Sequence, residues 1–401
     1  MVSNKEENRK DNGFQLGNVV LISTTHLVHD IYSSFLAPIL PLLIARFGLS
    51  YTMAGLLTVA QRAPSLFNPL LGLLADRIHI RYLLILAPAI TSVSMSLLGL
   101  APNYGVLVVL LLAMGVGAMC FHVPGPVMIK TVSGKRVGQG MGYFMLGGEA
   151  ARSIGPLVIL GAVSLWGLDG TWKLIPFGLT ASAILFFRFR KMVIRESVSP
   201  ISGLSGIRHT LRDFLPFFGI LAGYTLFMSL MRFTLMIFLP TYLTGRGEDL
   251  WFAGISLSVL EVTGAIGTFY GGGLSDRVGR KKLLLAVSIV SPVLGWVFLL
   301  THGWVSIAVL LVLGFSLFSA APVVLALVQD ARSDRPAFIN SIYMTISFLS
   351  SSLTAVAVGW GGDHFGLDNT FRVMFSLSFL AVPFVWFLAD RHLGVAGPDK
   401  E

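Results

Sequence analysis

Apolar stretches of about 20 residues or more, long enough to cross a hydrocarbon core ~30 Å thick, recur along the whole chain. They cover roughly 17–44, 51–75, 82–101, 104–129, 137–164 and 171–190, and after a polar stretch 213–243, 251–274, 282–301, 304–328, 337–361 and 370–391. Polar residues gather between these runs instead of alternating within them. A backbone in lipid must satisfy its own hydrogen bonds, so each run predicts a helix; a barrel would show short alternating strands. The pattern is six spans, a linker and six spans.

This divides the chain into an N-terminal tail (1–16), a six-helix bundle (17–190), a linker (191–212), a second six-helix bundle (213–391) and a C-terminal tail (392–401). The linker carries Glu196, Ser197, Ser199, Pro200, Ser202, Gly203, Ser205 and Gly206. It reads as a flexible, basic connection. The remaining loops are short, and no soluble domain is left that would house an enzyme active site. The expected fold class is all-α integral membrane, with twelve transmembrane helices in two pseudo-symmetric bundles.

Composition agrees: 54% of residues are hydrophobic and 12% charged, which requires a bilayer as solvent. The net charge of +9 is a topological signal. Only Arg46, Lys173, Arg246 and Arg372 fall in one set of alternate loops, and Arg62, Arg152 and Arg232 lie within spans. The other basic residues occupy the tails and the opposite loops, so both termini are expected in the cytoplasm. A nucleic-acid partner is not implied. The single cysteine, Cys120, excludes an intrachain disulfide and a thiolate metal site. Met1 to Asn12 lacks the apolar core and cleavage site of a signal peptide, so the first span is expected to stay attached.

A short basic turn between two spans, Gly272-Gly273-Leu274-Ser275-Asp276-Arg277-Val278-Gly279-Arg280-Lys281-Lys282, has an echo 200 residues earlier at Gly72-Leu73-Leu74-Ala75-Asp76-Arg77-Ile78-His79-Ile80-Arg81. Gly72 matches Gly272, Asp76 matches Asp276, Arg77 matches Arg277 and Arg81 matches Lys281. One tight loop placed identically in two halves marks an internal repeat, which in a membrane chain points to a transporter. Any tight turn favours Gly, Asp and Arg; two copies in register ask for more. The spacing Gly-x-x-x-Asp-Arg-x-Gly-Arg-Lys resembles the signature loop of the major facilitator superfamily. The first copy departs from it at His79. The resemblance implies that Gly72, Asp76, Arg77, Arg81, Gly272, Asp276, Arg277, Gly279 and Arg280 gate the cytoplasmic side.

Ionisable groups deep in lipid are functional candidates. The acids are Asp30, Glu149 and Glu261, the bases Arg62, Arg152 and Arg232, with His26, His29 and His122 as further titratable groups. At ~1.5 Å per residue, Asp30, Arg62, Glu149 and Glu261 sit roughly 15–20 Å into their helices, near the midplane where carrier sites lie. Three acids balance three arginines, so mutual pairing that glues helices together is the plain reading. Glu149 and Arg152, three apart, share a helix face and suit a local pair. His26 and Asp30, four apart, also share a face, and a carboxylate beside an imidazole in low dielectric is suited to passing a proton. A polar cluster lining a water-filled cavity would have the same sequence. The histidines lack a closed ligand set for a metal, and no phosphate-binding Gly-Lys-Ser/Thr loop is present, so no cofactor and no ATP are expected.

A narrower resemblance rests on Phe121-His122, Ser133-Gly134, Gly147-Gly148 and Gly155-Pro156-Leu157, with His26, Asp30 and Pro41 on the first span. These are similar to the fosmidomycin-resistance branch of the superfamily, whose members are proton-driven exporters of drug-like or metabolite molecules. Departures are Val123 before Pro124, Glu149 in place of the branch's Asn, Arg62 in an apolar position, and Leu160-Gly161, which keeps one glycine of two. The added charges favour a polar or charged substrate.

The resulting expectation is a proton-coupled secondary exporter of a small polar or charged molecule, a drug or metabolite, working by alternating access, monomeric and multi-pass in the bacterial inner membrane. Asp30, Glu149, His26 and His122 handle protons, and Arg62, Arg152, Arg232 and Glu261 meet the substrate. The alternatives are an importer or facilitator of an organic anion, and a lipid flippase.

Overall fold

The computed structural model describes residues 13–68, 80–190, 204–330 and 336–387. Regular structure among them is helical throughout. By contacts the chain forms two compact units: Met1–Leu43 with Ala60–Ser199, and Ile44–Val59 with Pro200–Glu401.

The helices come in chain order as α1 (Leu16–Ser33), α2 (Leu36–Phe47), α3 (Tyr51–Arg62), α4 (Ile80–Ser96), α5 (Tyr104–His122), α6 (Pro124–Ser133), α7 (Val137–Trp166) and α8 (Ile175–Phe189). They continue with α9 (Leu204–Gly245), α10 (Leu250–Val278), α11 (Arg280–Leu300), α12 (Gly303–Asp330), α13 (Pro336–Ser378) and α14 (Ala381–Trp386). In unit 1, α1 packs on α7 and α4 on α5 and α8; in unit 2, α9 packs on α13, α10 on α12 and α11 on α14. Each unit thus pairs its first span with its fifth and its third with its sixth, the repeat the two basic loops announced.

Ten helical stretches among the described residues are long and apolar enough to cross a membrane. One, Ile342–Trp386, is 45 residues long. It breaks at Gly366 (φ 77°, ψ 154°), so the expected spans 337–361 and 370–391 both fall on it. The expected span 51–75 is described only as far as Asn68, and its helix gives way to a 3₁₀ turn, Ala63–Phe67, where Pro64 removes a backbone donor. Three boundaries differ from expectation. The first span divides into α1 and α2, separated by Ser34 and Phe35. The fourth span divides into α5 and α6, since Pro124 and Pro126 lack the N–H groups that would continue the ladder. The seventh helix starts at Leu204, inside the expected linker, so polar residues extend it beyond its apolar run; residues 191–203 lie outside the described part.

Caps explain where short loops hand over to helices. Asn103 accepts from the N–H of Val106 at 3.1 Å to start α5, and Asp249 from that of Phe252 at 2.8 Å to start α10. Large apolar side chains face outward, among them Phe269, Trp304, Leu165 and Phe187, as a lipid-facing surface requires.

Close helix approach in unit 2 rests on small residues. A methyl group at Gly264 would lie 2.8 Å from the Phe318 ring, and at Gly267 or Gly271 it would meet the carbonyls of Phe315 or Ser319. Gly272 and Gly273, farther along α10, have nothing nearer than 3.9 Å. Between α10 and α11 the chain turns on one residue, Gly279, at φ 94° and ψ 135°.

Candidate functional site

In unit 1 the middle of α1 presents His26, His29 and Asp30 to α5 and α7. Asp30 is 6% exposed, His26 4% and His29 fully buried. The carboxylate of Asp30 is the hub: His26 Nε2 lies 3.2 Å from Oδ2, while His122 Nε2 lies 3.3 Å and His29 Nε2 3.8 Å from Oδ1. His122, at the C-terminal end of α5, keeps an exposed flank, its side chain 42% accessible.

Aromatic rings set the imidazoles in place. His26 stacks on Phe144 at a centroid distance of 4.0 Å, and His29 on Phe121 at 4.5 Å. His26 Nδ1 lies 2.7 Å from the carbonyl oxygen of Phe144. A carbonyl only accepts, so Nδ1 carries the hydrogen and donates it. Nε2 then faces the carboxylate as a lone pair unless a further proton lies on Asp30 or on the ring. Two bare acceptors at 3.2 Å repel, and a proton between them would turn that repulsion into attraction.

The paired glycines of α7 make the room. A Cβ at Gly148 would lie 2.7 Å from His26 Cε1, and one at Gly147 would run into the carbonyl of Ser23. Gly155 clears Ser34, whose Cβ would be 2.7 Å from a methyl there, just where α1 ends. Ser34 itself donates to the carbonyl of Asp30 at 2.9 Å.

Glu149 does not join this cluster. It forms an ion pair with Arg152 one turn along α7, and Arg152 in turn lies within electrostatic range of His122. Arg62 closes α3, half-buried. In unit 2, Glu261 is 5% exposed on α10, and the Arg232 guanidinium sits over the Phe318 ring at 4.3 Å. Of the signature loops, Gly72, Asp76 and Arg77 lie outside the described residues; Arg81 rests 5.0 Å over the Tyr82 ring. Asp276 and Arg277 are exposed in the last turn of α10, with Gly279 the turn and Arg280 the first residue of α11.

Sequence reasoning assigned no role to the rings of Phe121 and Phe144 or to the carbonyl of Phe144, and named His29 only as a titratable group. For the rings, only the Phe121-His122 pair carried a signal. The ligating atoms of His26, Asp30 and His122 lie within 4.8 Å of one another, so folding converges three groups that the sequence spaces far apart, enough to receive a cation.

The sequence pattern of the Major Facilitator Superfamily matches residues 22–355. A fosmidomycin resistance protein of Escherichia coli (strain K12) is 24% identical over 92% of this chain and 92% of its own. A multi-drug resistance efflux pump, PmrA, of Streptococcus pneumoniae is 24% identical over 65% of this chain and 67% of its own. Among solved structures, a bacterial homologue of the human lysosomal transporter Spinster, inward-facing and occupied, superposes with a TM-score of 0.80 at 15% identity, covering 93% of this chain and 96% of that one. A D-xylose–proton symporter superposes at 0.70, also 15% identical, over 94% and 99%. A repeat of paired helices, charged groups inside lipid-length spans and a family pattern running through both halves have one common account: the chain belongs to the Major Facilitator Superfamily and is a secondary transporter, not an enzyme.

Proposed function

We propose that the chain is a proton-coupled exporter of a small polar or charged molecule, working by alternating access. The observation that supports the reading is the buried His26–Asp30 pair, whose Nε2 and Oδ2 lie 3.2 Å apart, close enough to share a proton. Asp30 and His26 hold that proton, and His122, with its exposed flank, passes it in and out. Glu149 joins proton handling only when its pair with Arg152 opens. Arg62, Arg152, Arg232 and Glu261 meet the substrate. The loops around Asp76 and Asp276 gate the cytoplasmic side, and the protein works as a monomer in the bacterial inner membrane with both termini in the cytoplasm. The names of the E. coli and S. pneumoniae relatives favour export.

The test is transport by purified protein in liposomes under an imposed pH gradient, after a thermal-stabilisation screen of metabolites and antibiotics has supplied a substrate. Asp30→Asn is expected to abolish pH-driven transport yet keep substrate exchange without a gradient. A variant that retains pH-driven transport overturns the assignment, and loss of wild-type transport in a metal chelator would replace the proton by a metal ion. Inside-out vesicles separate export from uptake of an organic anion, and a fluorescent-lipid assay tests flipping. Cysteines at Ser205 and Asn369 are expected to differ in labelling by an impermeant thiol reagent on whole cells; equal labelling overturns the topology.

A further inference from the structure

Unit 2 holds a small cavity of about 60 Å³ between α9, α12 and α13. That is room for water or a small polar group. Its polar lining is Tyr224, Thr225, Ser229 and Arg232 from α9, with Tyr343 and Ser347 from α13. On α9, Thr225, Ser229 and Arg232 follow at helical spacing along one face, and Tyr343 and Ser347 do the same on α13.

The lining is rich in donors. Every polar side chain in it offers an N–H or O–H, its hydroxyls can also accept, and none of the described lining residues is acidic. Glu261, the buried acid of unit 2, does not line it. The Thr225 hydroxyl is buried without a hydrogen-bond partner. Tyr224, 4% exposed, turns its hydroxyl toward Ser288 without closing a hydrogen bond. Buried hydroxyls left unsatisfied beside a guanidinium are costly unless something in the cavity accepts from them. Phe318 supports Arg232 from behind at 4.3 Å, which fixes the plane of the fork.

We infer that this cavity is a subsite for a single oxyanion group, a carboxylate or phosphoryl group, carried by the transported molecule. Arg232 supplies the charge and a planar fork of donors, and the hydroxyls of Thr225 and Tyr343 complete the cradle. This narrows the charged substrate proposed above to an acid and rests on that reading for its transport role, though not for binding.

The experiment is thermal stability of the full chain in detergent, titrated with sodium phosphate and with sodium acetate against chloride at equal ionic strength. At least one of the two oxyanions is expected to raise Tm saturably. Thr225→Val and Tyr343→Phe, which keep shape and remove one hydroxyl, are expected to weaken its apparent affinity about three- to tenfold each. Arg232→Gln is expected to remove the effect; should it fail to fold, the two hydroxyl variants decide. Stabilisation by neither oxyanion, or an affinity unchanged in these variants, overturns the inference. Phosphatidylglycerol added to the same micelles separates the sources: competition with phosphate would assign the cavity to a lipid head group and overturn the solute, while its absence supports the solute. Asp30→Asn keeps the two proposals apart, since it is expected to lose proton coupling and retain oxyanion stabilisation.

Discussion

Asp363 holds Thr52 by both ends of its hydrogen-bonding capacity: one carboxylate oxygen accepts the Thr52 backbone N–H at 2.9 Å and its hydroxyl at 2.6 Å. The other oxygen takes the N–H of Tyr51 at 2.6 Å. A residue of α13 thereby caps the start of α3, within unit 2, where Gly359 lets the backbone of Tyr51 and Thr52 approach. Removing a cap costs about 1–2 kcal/mol. Asp363→Ala is therefore expected to lower Tm by a few degrees, with Asp363→Asn intermediate, as read by thermal denaturation in detergent. An unchanged Tm in both would show the cap to be energetically idle.

Glu149 is held in an ion pair with Arg152, and under the proposed reading it takes part in proton handling only when that pair opens. Glu149→Gln is therefore expected to slow pH-driven transport, while Asp30→Asn abolishes it. Unchanged transport in Glu149→Gln would remove Glu149 from the proton path.

Gly148 and Gly142 lie two turns apart on α7 and differ in what surrounds them. An added methyl at Gly148 meets His26, whereas Gly142 has nothing within 4 Å. Gly148→Ala is expected to destabilise by about 1–3 kcal/mol through overpacking and to impair proton coupling by displacing the imidazole. Gly142→Ala is expected to be neutral or mildly stabilising, because alanine is the better helix former. Stability measurements and pH-gradient transport on the two variants check this directly.

The turn at Gly279 (φ 94°) asks for a glycine, and Gly279→Ala is expected to cost roughly 1–2 kcal/mol. Asp276, exposed beside it, has no part in binding under the proposed gating role. Asp276→Asn is expected to slow transport while substrate affinity in detergent stays within about threefold. Complete loss of binding would place the substrate site at the loop.

Much of the architecture was legible in the sequence because bilayer thickness imposes a length on every apolar run, and because a repeated loop declares a repeated unit. The His26–Asp30 pair was legible for a similar reason: four residues on a helix is a fixed geometry. The carbonyl of Phe144 and the ring of Phe121, by contrast, act through packing across α5 and α7, which leaves no periodic trace. Gly147 and Gly148 were visible as a motif, but their purpose, clearance for Ser23 and His26, shows only once α1 and α7 are side by side. The hold of Asp363 on α3 gave no signal at all, since an acid near a helix break reads as an ordinary loop charge.

The meshing of α10 with α12 through Gly264, Gly267 and Gly271 has a mechanical consequence. Backbones in contact at successive turns leave no clearance for axial slip, because advancing by even one residue, ~1.5 Å, would drive bulkier groups into carbonyls. The two helices therefore behave as one stiff beam. The same unit leaves this helical geometry at the single-residue joint of Gly279 and at the break of Gly366.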